Sequence, residues 1–203
     1  EYFTEEGEVI PSVTTILNHI SAVGYSAVPQ STLDYARIRG SAVHEALELY
    51  DYGIPFEEQE GVTPEIVGYI NAYLTFIRDY KPTWTHIEHI VYNEEQRYCG
   101  TLDRAGVING RRAIVDIKTV ASPTIENKAC VCAQTAAYGE TLYGDFKHDR
   151  YALYLKKDGS YTLMDCAEFE EEKGFLGWSL FYKCKSIYET LETIKNTKKK
   201  RRK

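Results

Sequence analysis

No stretch of this 203-residue chain approaches the roughly 18–20 consecutive apolar residues that a membrane-spanning helix needs. That absence excludes a helical membrane protein and sets the expectation of a cytoplasmic one. The opening segment, Glu1 to Glu8, is acidic and polar and lacks the basic-then-apolar pattern of a secretory leader, so no signal peptide is expected. The chain begins without Met, as a fragment of a longer protein would. Cysteine is sparse. The five, Cys99, Cys130, Cys132, Cys166 and Cys184, are odd in number and irregular in spacing. Cys130 and Cys132 are separated by one residue, not by the two of a zinc or redox pair. Reduced thiols are therefore expected, and no zinc site. Internal repeats and interior linkers are also missing, which points to one domain over residues 1–194.

Positive charge is scarce over that body. The chain carries 24 Lys and Arg against 30 Asp and Glu, a net of −6. Seven of the basic residues lie between Lys195 and Lys203, and residues 1–194 hold 17 basic and 30 acidic groups, a net of −13. A simple basic DNA-binding module is excluded. An acidic enzyme that works on phosphates remains possible when divalent metal ions supply the positive charge. The basic end, residues 195–203, is read as a disordered, solvated tail able to touch phosphates loosely. What the chain has in quantity is core material: 43% hydrophobic residues, with 17 Tyr. That composition argues against disorder elsewhere.

The local patterns are legible. Ser12 or Thr14 can cap a short helix within Val9–Asn18. Ser31–Tyr52 reads as a helix stopped by Gly53-Ile54-Pro55. Thr63-Pro64 opens another, which runs to Tyr80 before Lys81-Pro82. Three β-rich stretches follow: His86–Tyr92, Arg97–Ile108 and Arg111–Lys118. Asn109-Gly110 joins the last two as a hairpin turn. Pro123–Tyr143 reads as a helix, Arg150–Lys156 and Tyr161–Ala167 as strands about an Asp158-Gly159 turn, and Glu168–Thr193 as one closing helix. The order α-α-β-β-β-α-β-β-α implies an α/β (α+β mixed) domain, a central mixed sheet flanked by helices.

The chemistry-bearing residues gather on the hairpin. Asp116 and Lys118 are two apart on a strand and so point to one face, beside the apolar run Ala113–Val115. The hairpin brings Asp103 onto the neighbouring antiparallel strand. Two carboxylates near a lysine form a hard oxygen site suited to Mg²⁺ or Mn²⁺. A metal there can bind a phosphate and acidify a water, while the ammonium offsets charge in the transition state. His44, in Gly40-Ser-Ala-Val-His44 on the first long helix, can complete such a site. Gly40 is costly inside a helix, and its expected benefit is close approach of backbone or DNA. Gln134 and Tyr138 share one face of a later helix. Glu88, on the strand before the hairpin, is either a further acid near the metal or a strand-edge charge.

Gly-x-x-x-His, a strand Glu, Gly-x-x-Asp, Asp-x-Lys and Gln-x-x-x-Tyr occur here in that order. The set resembles the PD-(D/E)XK nucleases, in the branch of RecB-like and phage-type exonucleases, over about residues 10–145 and the closing helix. The resemblance implies a restriction-endonuclease-like core. It implies metal binding by His44, Asp103, Asp116 and the Ile117 carbonyl, with Lys118 as catalytic lysine and Glu88 as a supporting acid. Gln134, Tyr138 and Thr119 would contact DNA. The cofactor would be one or two Mg²⁺ or Mn²⁺ ions. Several relatives carry a four-cysteine iron–sulfur cluster; the cysteine spacing here departs from theirs, and no cluster is expected. DNA is the implied partner, with a recombination or single-strand-annealing protein and self-association as further possibilities, in phage recombination or DNA repair. Two other readings stay open: a nuclease fold that binds DNA or protein without cutting, and a salt-bridge cluster with no metal.

Overall fold

The computed structural model of the chain describes residues 2–3, 7, 9–120 and 122–200, without the side chains of 196 and 198–200. Two short strands, β1 (Tyr2–Phe3) and β2 (Val9–Ile10), pair antiparallel. Helix α1 (Val13–Gly24) follows, and Ser12 is its cap: the hydroxyl oxygen accepts the Thr15 N–H at 3.0 Å. Helix α2 is Gln30–Asp51 and α3 is Val67–Tyr80. Strands β3 (Thr83–Asn93), β4 (Tyr98–Ile108) and β5 (Arg111–Lys118) come next. Helix α4 (Ile125–Tyr143) leads to β6 (Asp149–Leu155) and β7 (Tyr161–Asp165), then to α5 (Cys166–Lys173) and α6 (Gly177–Lys200).

The five long strands form one mixed sheet in the order β3-β4-β5-β6-β7. Only β5 and β6 pair in parallel, with α4 as the crossover between them. The hairpin turn lies at Asn109-Gly110, whose φ values of +51° and +78° place both residues in the left-handed region. Helices cover both faces. On one side, Leu47, Tyr73 and Phe76 of α2 and α3 pack on Val115, Ile117 and Leu153. On the other, Ile16, Leu17, Ala133 and Phe181 of α1, α4 and α6 pack on Leu102, Ala105 and Ile114. Strand β5 is thus buried on both faces, which is why its sequence is nearly continuous in apolar residues. The expected mixed sheet with flanking helices is what forms.

Several boundaries differ from expectation: α1 runs past Asn18 to Gly24, and β3 opens at Thr83 rather than His86. Helix α3 begins at Val67 rather than beside Thr63-Pro64, because the chain first makes a turn in which the Ile66 N–H bonds the Thr63 carbonyl. The closing helix is two helices. Gly174, at φ +69°, caps α5 in the left-handed conformation and redirects the chain into α6. Helix α6 continues to Lys200, so part of the basic end is helical, while residues 201–203 lie outside the described residues. No described helix is long and apolar enough to cross a membrane.

Candidate active site

The β3–β4 ladder shifts register between Trp84 and His86, and the candidate residues sit at an unpaired level just beyond it. The β3–β4 register pairs Ile87 with Arg104 and His89 with Leu102, and skips Glu88 and Asp103 between them. Glu88 adopts φ +42°, a left-handed conformation that is disfavoured for any residue with a Cβ. On the other side of β4, pairing with β5 ends at Arg104 and Val115. Beyond that point the Asp103 carboxylate replaces the ladder: its Oδ2 accepts the Ile117 N–H at 2.6 Å.

Helix α2 brings His44 against this break. His44 Nδ1 lies 3.3 Å from Glu88 Oε1 and 3.8 Å from Asp103 Oδ1, and Nε2 lies 3.0 Å from the Ile117 carbonyl oxygen. One ligand atom from each of His44, Glu88 and Asp103 falls within 4.8 Å of the others, spacing that suits a single cation. Burial pulls the His44 pKa down, but the Asp103 and Glu88 carboxylates outweigh it and the net shift is upward. When His44 is protonated, both ring nitrogens donate, Nδ1 to Glu88 and Nε2 to Ile117.

Asp116 and Lys118 pair beside this cluster. Asp116 is buried, and Lys118 Nζ lies 2.9 Å from its Oδ1 and 2.7 Å from its Oδ2. The contact to Oδ2 is ionic and not an aligned hydrogen bond, so that buried oxygen keeps a free lone pair. Burial raises the Asp116 pKa to about 6 against the opposing pull of Lys118, with Asp103 adding to the rise. Burial alone would lower the Lys118 pKa, but Asp116 and Asp103 drive it upward, so the ammonium stays charged at neutral pH. Lys118 is therefore an electrostatic group and not a base. Asp103 influences both sets, touching His44 and shifting Asp116 and Lys118.

A buried ion network, absent from the sequence-based reading, supports the cluster from behind. Arg104 is fully buried. Its Nε donates to Asp51 Oδ2 at 2.6 Å, and its Nη1 donates to Glu88 Oε1 at 3.1 Å and to the Asp103 carbonyl at 2.6 Å. The Tyr73 hydroxyl also donates to Asp51 Oδ2 at 2.6 Å. The available signal was a charged residue inside the core strand Leu102–Val107, which requires a buried acid as partner.

The remaining candidates, Gln134, Tyr138 and Thr119, lie around this cluster. Gln134 and Tyr138 are buried, with Gln134 Nε2 3.4 Å from the Tyr138 hydroxyl. Tyr138 lies flush on β4 at Gly100, where a Cβ would come within 2.7 Å of the ring. Tyr138 presents no surface to DNA, while Gln134 reaches the wall of a small cavity beside Lys118. Thr119 is buried as well, and Arg39 of α2 donates to its carbonyl at 3.0 Å. Gly40 meets no close protein neighbour, since a Cβ would lie 3.5 Å from Thr119 Oγ1. It does line an open groove of about 690 Å³ together with Arg37, His44, Glu48, Glu88 and Lys118. All five cysteines are free thiols.

The donor set fits a hard divalent ion. It consists of one imidazole, two clustered carboxylates, and a third carboxylate with a free lone pair beside a fixed cation. No protein-family model matches this chain, and no curated protein sequence does.

Proposed function

We propose that the chain is a Mg²⁺- or Mn²⁺-dependent deoxyribonuclease of the PD-(D/E)XK type, acting as an exonuclease. The observation that carries this is the meeting of the His44–Glu88–Asp103 cluster with the Asp116–Lys118 pair where β4 and β5 part. A salt-bridge cluster alone gives no reason for a strained Glu88 backbone.

His44, Glu88 and Asp103 would hold the metal, with Asp116 and the Ile117 carbonyl beside them. The expected ligand set changes in one respect: Glu88 joins the cluster directly, whereas Asp116 is engaged by Lys118. A bound divalent ion supplies a Lewis acid at the phosphate and a water of lowered pKa. Lys118, held charged by two carboxylates, faces the phosphoryl oxygens and offsets the charge that grows on them. Asp116 fixes the Lys118 ammonium. The Asp103 bond to Ile117 holds the β5 backbone at the level of the cluster. The open groove admits the phosphate backbone past Arg37, and its acidic rim of Glu45, Glu48 and Glu88 discourages binding of DNA without metal.

The test is incubation of the full chain with end-labelled linear DNA and with closed circular DNA, each in Mg²⁺, Mn²⁺ or EDTA. Metal-dependent loss of the linear DNA with sparing of circles is expected. Cutting of circles would replace the exonuclease reading with an endonuclease. No cutting with either metal would favour a nuclease fold that binds without hydrolysis.

A further inference from the structure

On the α4 side of β5, Lys118 borders a second and smaller cavity of about 190 Å³. Its walls include Ser21 and Tyr25 at the end of α1, Asn127 and Gln134 on α4, and Tyr154 on β6. Two atoms in these walls are buried without a hydrogen-bond partner among the described residues: the Tyr154 hydroxyl and the Asn127 carboxamide oxygen. Tyr154 is only 3% exposed. Both atoms belong to residues that line this cavity, and buried polar groups are normally satisfied. Thr14, Lys118 and Val120 line both this cavity and the His44 groove, so the two spaces share a wall.

We propose that this cavity receives a single nucleobase, that of the nucleotide whose phosphate lies at Lys118. The proposal rests on the nuclease reading. The space equals roughly six water molecules at ~30 Å³ each, enough for one flat ring system and too little for a base pair. The lining suits a base: apolar and aromatic walls for its faces, and a few polar atoms for its edge. Lys118 sits between the two spaces, so a phosphate there would have its base on the α4 side and the rest of the strand in the groove. A base must leave its stack and its partner to enter. This favours the last nucleotide of a strand, where unpairing is easiest, and gives a structural reason for attack from an end.

Saturation-transfer NMR of the full chain with deoxyadenosine, in EDTA, tests the pocket without metal or cleavage. The probe carries no phosphate, so it reports the base site alone. The wild type and His44→Ala are expected to bind at millimolar deoxyadenosine. Tyr154→Phe, which removes one hydroxyl and keeps the ring, is expected to bind about tenfold more weakly. Ser21→Trp, which fills the cavity from its rim, is expected not to bind. Absence of transfer from the wild type to deoxyadenosine, or undiminished binding by Tyr154→Phe, overturns the pocket. A chain that shows Tyr154-dependent binding yet cuts no DNA retains the pocket and loses the nuclease reading. One that cuts DNA but binds no deoxyadenosine does the reverse.

Discussion

Asp103 Oδ2 accepts the backbone N–H of Ile117 at 2.6 Å, so a side chain on β4 performs the task of a ladder bond to β5. The strands part at this level, and the vacated space is where the candidate metal ligands converge. The same carboxylate therefore has two duties, one in the sheet and one in the site.

Those duties separate by substitution. Asp103→Asn keeps an oxygen that can accept from Ile117 and removes the charge. It is expected to retain close to wild-type stability while losing metal binding. Asp103→Ala leaves a buried N–H unsatisfied and is expected to cost about 1–3 kcal/mol as well. Urea unfolding of both variants checks this. Equal stability of the two would show that the bond to Ile117 contributes nothing.

Arg104 connects the core to the site. Replacing it with Met leaves Asp51 and Glu88 without their cation, and Asp51 is almost wholly buried. Breaking a buried pair in this way costs about 3–5 kcal/mol. Arg104→Met is therefore expected to unfold at much lower urea, and Arg104→Met with Asp51→Asn is expected to recover part of the loss. A single variant within 0.5 kcal/mol of wild type, roughly the scatter of surface substitutions, would contradict the assigned role.

Much of the fold was readable because local chemistry and global pattern agree. Asn109-Gly110 demanded a hairpin and forms one. Ser12 caps α1, and the apolar run before Asp116 is the central strand. The candidate residues His44, Asp103, Asp116 and Lys118 are brought together by α2 and the hairpin. What stayed hidden depends on tertiary partners. The left-handed backbone at Glu88 has no local signature, since glycine, asparagine or aspartate would mark such a turn. The Asp51–Arg104–Glu88 network joins residues far apart in sequence. Helix periodicity placed Gln134 and Tyr138 on one face, and the resemblance implied their DNA contacts; neither says whether that face is exposed. Gly174 inside an apparently continuous helical pattern divided it in two.

Proton competition should govern the metal. His44 titrates above its ordinary value and Asp116 at about 6, and both are deprotonated in a metal-bound site. As pH falls through this range each group gains a proton that the ion must displace, so affinity declines with acidification. Calorimetric Mn²⁺ titration is expected to show at least ~10-fold weaker binding near pH 5.5 than near pH 7.5, with proton release on binding. His44→Ala is expected to bind more weakly at both values and with a shallower pH dependence. Affinity independent of pH would place the ion elsewhere.

The most direct test of the central claim is the rate of Mn²⁺-dependent cleavage of linear DNA by Lys118→Ala, with metal binding measured on the same protein. In the proposed site Lys118 stabilises charge beside the candidate metal ligands and does not hold the ion. The account predicts a cleavage rate lower by about 10²–10³-fold, with Mn²⁺ still bound. Cleavage at the wild-type rate would contradict it and place any hydrolytic centre away from the break between β4 and β5.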